Sequence, residues 1–106
     1  MTAQEFRRIA LSLEGSIAAA HMGHPDFRAG GKIFATLGYP RRGWGMVKLT
    51  PEQQELFVRS QPAAFAPATG AWGRAGSTSV RLPAAKKGAV CEALTLACEN
   101  TRSRRH

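Results

Sequence analysis

Acidic side chains are scarce in this sequence. Only 7 Asp and Glu stand against 15 Lys and Arg, which leaves a formal net charge of +8 on 106 residues. No acidic ridge can form from them. Glu5 and Glu14 fall beside Arg7 and Arg8, and Glu92 and Glu99 beside Lys86, Lys87 and Arg102. A site that holds a hard cation with many carboxylates is therefore not expected. Cysteine is also sparse, with Cys91 and Cys98 alone. On the helix predicted there, their spacing is about 10.5 Å of axial rise, too far for a disulfide within one helix. Both read as small buried apolar residues facing the same way as Leu94. Long hydrophobic runs are missing as well, and nothing approaches the roughly 20 apolar residues of a membrane helix. The stretch Ile9–Leu11 after Arg7-Arg8 is too short, and too soon interrupted by Glu14, for an export signal. These absences predict a cytoplasmic chain in a reducing compartment, with no membrane partner.

Apolar residues make up 43%, enough for a folded core and too many for a disordered chain. The length predicts one domain, residues 1–101, followed by a basic disordered tail, residues 102–106, with Arg102, Arg104 and Arg105 and no apolar side chain. Part of the positive charge thus belongs to the tail. The remainder is distributed in small groups, with no run of five or more like charges.

Local patterns predict the elements. Thr2-Ala3-Gln4-Glu5 has capping-box spacing, and Phe6, Ile9, Ala10 and Leu13 follow at helical intervals, for a helix ending near Gly15. Residues 16–22 read as a short strand, and His24-Pro25-Asp26 as a turn. Phe27–Ala29, Gly30-Gly31 and Lys32–Tyr39 form a predicted hairpin. Trp44–Leu49 reads as a strand with Trp44, Met46 and Lys48 on one face and Val47 and Leu49 on the other. Thr50-Pro51-Glu52-Gln53 starts a helix that Pro62 ends. Residues 62–76 read as loop or irregular edge. Thr78, Val80 and Leu82 alternate with Ser77, Ser79 and Arg81 in a last strand, and Pro83 opens a last helix whose stripe is Val90, Leu94, Ala97 and Cys98. This order predicts an α+β fold, a single antiparallel sheet with helices packed on one face.

The run Gly23-His24-Pro25-Asp26-Phe27-Arg28-Ala29-Gly30-Gly31-Lys32-Ile33-Phe34-Ala35 resembles the signature of the MmcQ/YjbR family. So do Val47-Lys48-Leu49-Thr50-Pro51-Glu52 and the series Phe65, Pro67, Trp72-Gly73, Gly76 and Val80–Leu82. The resemblance covers about residues 5–99. It implies a YjbR-like domain of the double-wing, or frataxin-like and CyaY-like, kind, and a DNA-binding label that rests on fold similarity. It brings no catalytic residues with it. The basic tail and the featureless Ala18-Ala19-Ala20 depart from the family pattern. Iron delivery is not inherited from the fold, because the acidic ridge is missing.

No catalytic constellation stands out. His21 and His24 flank a predicted turn, with no third ligand nearby, so no metal site and no cofactor are expected. Asp26 beside His24 is the one acid–base pair, and a turn-capping aspartate explains it. Gly70, Gly73 and Gly76 match neither a dinucleotide nor a phosphate-loop pattern. Cations near aromatics are the more informative feature. Arg28 and Lys32 flank Gly30-Gly31, Arg41 and Arg42 lie between Tyr39 and Trp44, Lys48 ends a strand, and Arg74 follows Trp72. With Trp44 and Trp72 as candidate stacking aromatics, these six cations form the predicted nucleic-acid-binding set. The reading is a non-enzymatic binding domain that engages DNA weakly through phosphates. The alternative is a protein-interaction or small-ligand-binding domain using the sheet face or the Trp72 loop, so the expected partner is DNA or another protein. The sequence sets no oligomeric state.

Overall fold

The computed structural model describes residues 1–21 and 23–103. The chain begins with helix α1 (Ala3–Ser12), then runs through strands β1 (Ser16–His21), β2 (His24–Ala29), β3 (Lys32–Leu37) and β4 (Trp44–Lys48). Helix α2 (Pro51–Ser60), strand β5 (Phe65–Pro67), the short helix α3 (Gly70–Arg74) and strand β6 (Ser77–Arg81) follow, and α4 (Lys87–Ser103) ends the described chain. The strands form one six-stranded antiparallel sheet in the order β1-β2-β3-β4-β6-β5. This is the α+β architecture that the element order predicts.

Strand alternation assigns each face of the sheet. Phe27, Ala29, Phe34, Ala35, Leu37, Val47, Val80 and Phe65 are buried beneath the helices. Helix α4 crosses β2, β3 and β4 with α1 beside it, and α2 packs against β5 and β6. Phe6 of α1 meets Phe27 at 6.1 Å between ring centroids, and Phe57 of α2 meets Phe65 at 5.1 Å. A bulge between Phe27 and Arg28 lets both Phe34 and Ala35 face the core. The opposite face carries Ile17, Ala19, Asp26, Arg28, Ile33, Thr36, Trp44, Met46, Lys48, Ser79 and Arg81.

Both predicted helix starts form as capping boxes. Thr2 Oγ1 accepts from the Glu5 amide while the Glu5 carboxylate accepts from the Thr2 amide, and Thr50 and Gln53 repeat the exchange. Several local expectations need correction. Helix α1 ends at Ser12, short of Gly15, where Leu13 turns extended. His24-Pro25-Asp26 is strand, because β1 and β2 pair down to His21↔His24. Pro25 is tolerated there since the ladder to β3 starts only at Asp26. Residues 62–76 hold β5 and α3. A three-residue strand is too short to show alternation, and Thr69 makes no side-chain cap to announce α3. Pro83 opens only a 3₁₀ turn, Leu82–Ala84, and extended Ala85 separates it from α4. Cys98 is buried but Cys91 is exposed, because the inward stripe runs through Val90, Ala93, Leu94, Ala97 and Cys98. Helix α4 includes Arg102 and Ser103, both expected in the tail; residues 104–106 lie outside the described residues. Among the described residues no helix is long and apolar enough to cross a membrane.

Candidate nucleic-acid interface

Topology divides the predicted cations into two groups. The β2–β3 turn and the β3–β4 turn lie at opposite ends of β3, which at about 3.3 Å per residue puts them roughly 17 Å apart. Lys32 stands beside Gly30-Gly31 at one end. Strand β4 runs back towards that end, so its last residue, Lys48, pairs with Ser77, the first residue of β6. Trp72 and Arg74 on α3 immediately precede that strand and belong to the same end. Arg41, Arg42 and Trp44 belong to the other.

At the second end the structure adds a residue that sequence reasoning missed. Arg81, the last residue of β6, is the register partner of Trp44, the first of β4. Arg41, Arg42 and Arg81 are all exposed, and Tyr39 is 60% exposed. Trp44 lies half-buried between them and the sheet. The turn that presents these groups is pinned by its backbone. The Gly38 amide donates to Trp44 O at 2.9 Å, the Trp44 amide to Arg41 O at 3.2 Å, and the Leu82 amide to Gly43 O at 3.0 Å. The His24 ring meets Tyr39 edge-on at 5.9 Å. Among the described residues the salt bridges are Arg28–Asp26 and Arg59–Glu55, so no carboxylate pairs with Arg41, Arg42 or Arg81. Three exposed arginines thus stand on one turn and the strand end paired beside it, at the end of the sheet that carries Tyr39 and Trp44. The signal for Arg81 was its place in the alternation of β6; its neighbour across the ladder was not readable.

Arg28 has a different position. Its Nε donates to Asp26 Oδ1 at 2.9 Å and its Nη2 to Oδ2 at 3.2 Å. The Asp26 side chain is buried, and Arg28 lies over it one-third exposed. The hydrogen bonds from Arg28 to Asp26, and then the nearby negative charge, hold the guanidinium's pKa above its ordinary value. Asp26 is thus a buried strand residue committed to Arg28, in place of the expected turn cap. The spacing allowed this to be seen, since residues two apart on a strand share a face.

At the first end, Lys48 Nζ lies 5.6 Å from the centroid of the Trp72 ring. Trp72 is 69% exposed. Two glycines set α3 in place. A Cβ on Gly73 would come 1.7 Å from Ala68 O, and one on Gly76, where φ is +116°, would come 1.9 Å from Leu49 O. The Gln54 amide donates to both Gly73 O and Ser77 O at 2.9 Å. Lys32 and Arg74 are exposed. Among the described residues no group of three or more His, Cys, Asp or Glu could hold a metal ion; the side chain of His21, a candidate ligand with His24, lies outside them.

A family model described as YjbR matches residues 11–97. The fold also resembles the crystal structure of Deinococcus radiodurans protein DR2400, which carries a DUF419 domain. The TM-score is 0.81 at 16% identity, over 99% of this chain and 81% of that one, a likeness of fold. No curated protein matches the sequence. The matched span runs from the end of α1 into the last turns of α4 and takes in every strand, both turns and α3. With the whole sheet and both of its ends inside that span, the chain belongs to the YjbR family.

Proposed function

We propose that this protein is a non-enzymatic DNA-binding domain of the cytoplasm that grips the phosphate backbone through Arg41, Arg42 and Arg81. One observation carries the reading. Among the described residues, three exposed arginines without carboxylate partners stand on the β3–β4 turn and the neighbouring end of β6, at the end of the sheet that carries Tyr39 and Trp44. Arginine presents a planar fork of donors that matches phosphate oxygens. Arginines carried on a pinned turn and a strand end leave less backbone to order on binding than a flexible segment would. A contact set of this kind gives affinity that depends on salt and little on base sequence.

One further feature supports the reading. Both Asp26 oxygens are engaged by Arg28, and His24 is exposed against Tyr39, so the one acid–base pair in the sequence has other roles. The set differs from the sequence-derived one by its geometry. Arg81 joins it, Arg28 leaves it, and Lys32, Lys48 and Arg74 lie at the far end of the sheet.

The experiment is duplex DNA binding measured over a range of salt. The logarithm of affinity falls against the logarithm of salt by about 0.9 per phosphate neutralised. Arg41→Ala with Arg42→Ala flattens that slope by roughly 2. Binding that survives both substitutions at an unchanged slope, and disappears on deletion of residues 102–106, refutes the assignment.

A further inference from the structure

At the other end of the sheet, a pocket of about 210 Å³ opens between the end of β4, α3 and the last turns of α4. Lys48, Trp72, Thr50, Ser77, Asn100 and Leu49 line it. We propose that this pocket binds a single nucleotide unit, the base against Trp72 and the sugar-linked phosphate on Lys48. The site is separate from the arginine edge, and the inference does not rest on duplex binding.

The presentation of Trp72 points to a stacking partner. The Trp72 ring is 69% exposed, so its surface is open to a flat partner. Here the helix that carries it is anchored at three points. Gly73 lies hard against Ala68, Gly76 against Leu49, and the Gln54 amide holds Gly73 O and Ser77 O. The ring is therefore held out on a stiff mount. Aromatic faces kept this way stack on bases with little ordering cost.

Charge selects an anionic partner. Lys48 has no carboxylate partner among the described residues, and its ammonium group meets only the ring, 5.6 Å from the centroid. An anion linked to a stacked base can reach that ammonium without displacing an ion pair. Size and lining narrow the choice further. Ligand pockets usually run from about 300 to 1,000 Å³, so this one suits a single ring system with its substituent at the rim. Its wall carries the Ser77 hydroxyl beside the apolar Leu49, while Thr50 Oγ1 accepts from the Gln53 backbone amide and Asn100 Nδ2 donates to Lys48 O and Gln53 Oε1. A purely apolar ligand leaves Lys48 unused, and inorganic phosphate leaves Trp72 unused. A nucleotide uses both.

The test uses the full chain with Trp44→Phe, so that Trp72 is the sole tryptophan, after circular dichroism confirms the fold. AMP, adenosine and inorganic phosphate are titrated against its fluorescence. AMP is expected to quench saturably, adenosine to require roughly tenfold more, and phosphate alone to have no effect. Lys48→Met should bring AMP down to the adenosine level. A short single-stranded oligoadenylate distinguishes the source of the ligand. Binding much tighter than AMP assigns the pocket to single-stranded nucleic acid, and equal binding to free nucleotide; both support it. Arg41→Ala with Arg42→Ala should leave the AMP titration unchanged, which separates this site from the arginine edge. Absence of saturable quenching at millimolar AMP, or quenching indifferent to Lys48→Met, overturns the inference.

Discussion

Replacing Arg28 tests whether its charge supports the fold or reaches DNA. Arg28→Met removes both donors from a carboxylate whose side chain is 1% exposed. A buried ion pair that loses one partner typically costs about 3–5 kcal/mol. The Arg28 side chain is 33% exposed, so water can enter where it stood and part of that cost is recovered. The expected loss is therefore about 2–3 kcal/mol, a fall in melting temperature of roughly 10–15 °C for a chain of this length. Asp26→Asn keeps one acceptor for the guanidinium and leaves Arg28 partly in water, at about 1 kcal/mol. The double variant Asp26→Asn with Arg28→Met should cost less than the sum of the two, because no charge is stranded. The coupling read from that cycle should be about 1–2 kcal/mol. The assay is urea unfolding followed by circular dichroism, with the salt dependence of DNA binding measured on the same samples. An Arg28→Met protein that unfolds at the wild-type midpoint while its salt slope drops by about 1 would refute the reasoning, since Arg28 would then be a phosphate contact.

Other outcomes follow from the same structure. Gly76→Ala should cost roughly 3 kcal/mol or more, since the added Cβ meets Leu49 O at 1.9 Å where φ is +116°; a wild-type urea midpoint would disprove that close approach. A thiol reagent should label exposed Cys91 quickly and Cys98 only on unfolding, because burial both hides Cys98 and raises its thiol's pKa. Equal labelling of the two would show that α4 is rotated about its axis, with Cys98 turned out of the core. The Thr2 amide hydrogen bond lowers the Glu5 pKa, so Glu5 adds stability above the ordinary Glu range, and that stability is lost as pH falls through the lowered value. Glu5→Gln should therefore lower the urea midpoint near neutral pH and have no effect well below the Glu range. A deficit that persists in acid would assign the effect to packing.

The fold was legible wherever its causes are local. The two capping boxes are four-residue patterns, and both formed as spelled. Alternation in Trp44–Lys48 and Ser77–Arg81 placed each side chain on the correct face. The series from Gly23 to Ala35 was enough to point to the family. What stayed hidden depends on contacts across the chain. Helix α3 has two glycines in five residues and no side-chain cap, so tertiary contacts at Gly73 and Gln54 hold it. The neighbours Trp44 and Arg81 are separated in sequence by α2, β5 and α3, and only the sheet order brings them together. The candidate set was read as cations near turns. It could not be divided between the two ends without the direction of β4, nor could Arg28 be tied to Asp26 until that side chain was found buried beneath it.

The most direct test of the arginine edge compares two variants of equal charge in duplex DNA binding across a salt series. One carries Arg41→Ala, Arg42→Ala and Arg81→Ala; the other carries Lys32→Ala, Arg74→Ala and Arg102→Ala. A contact set confined to the Trp44 end predicts that the first flattens the salt slope by about 2–3 and that the second changes it by less than about 0.5. An equal loss in both variants, or a larger loss in the second, would show that binding follows total charge or the opposite end of the sheet, and would contradict the account.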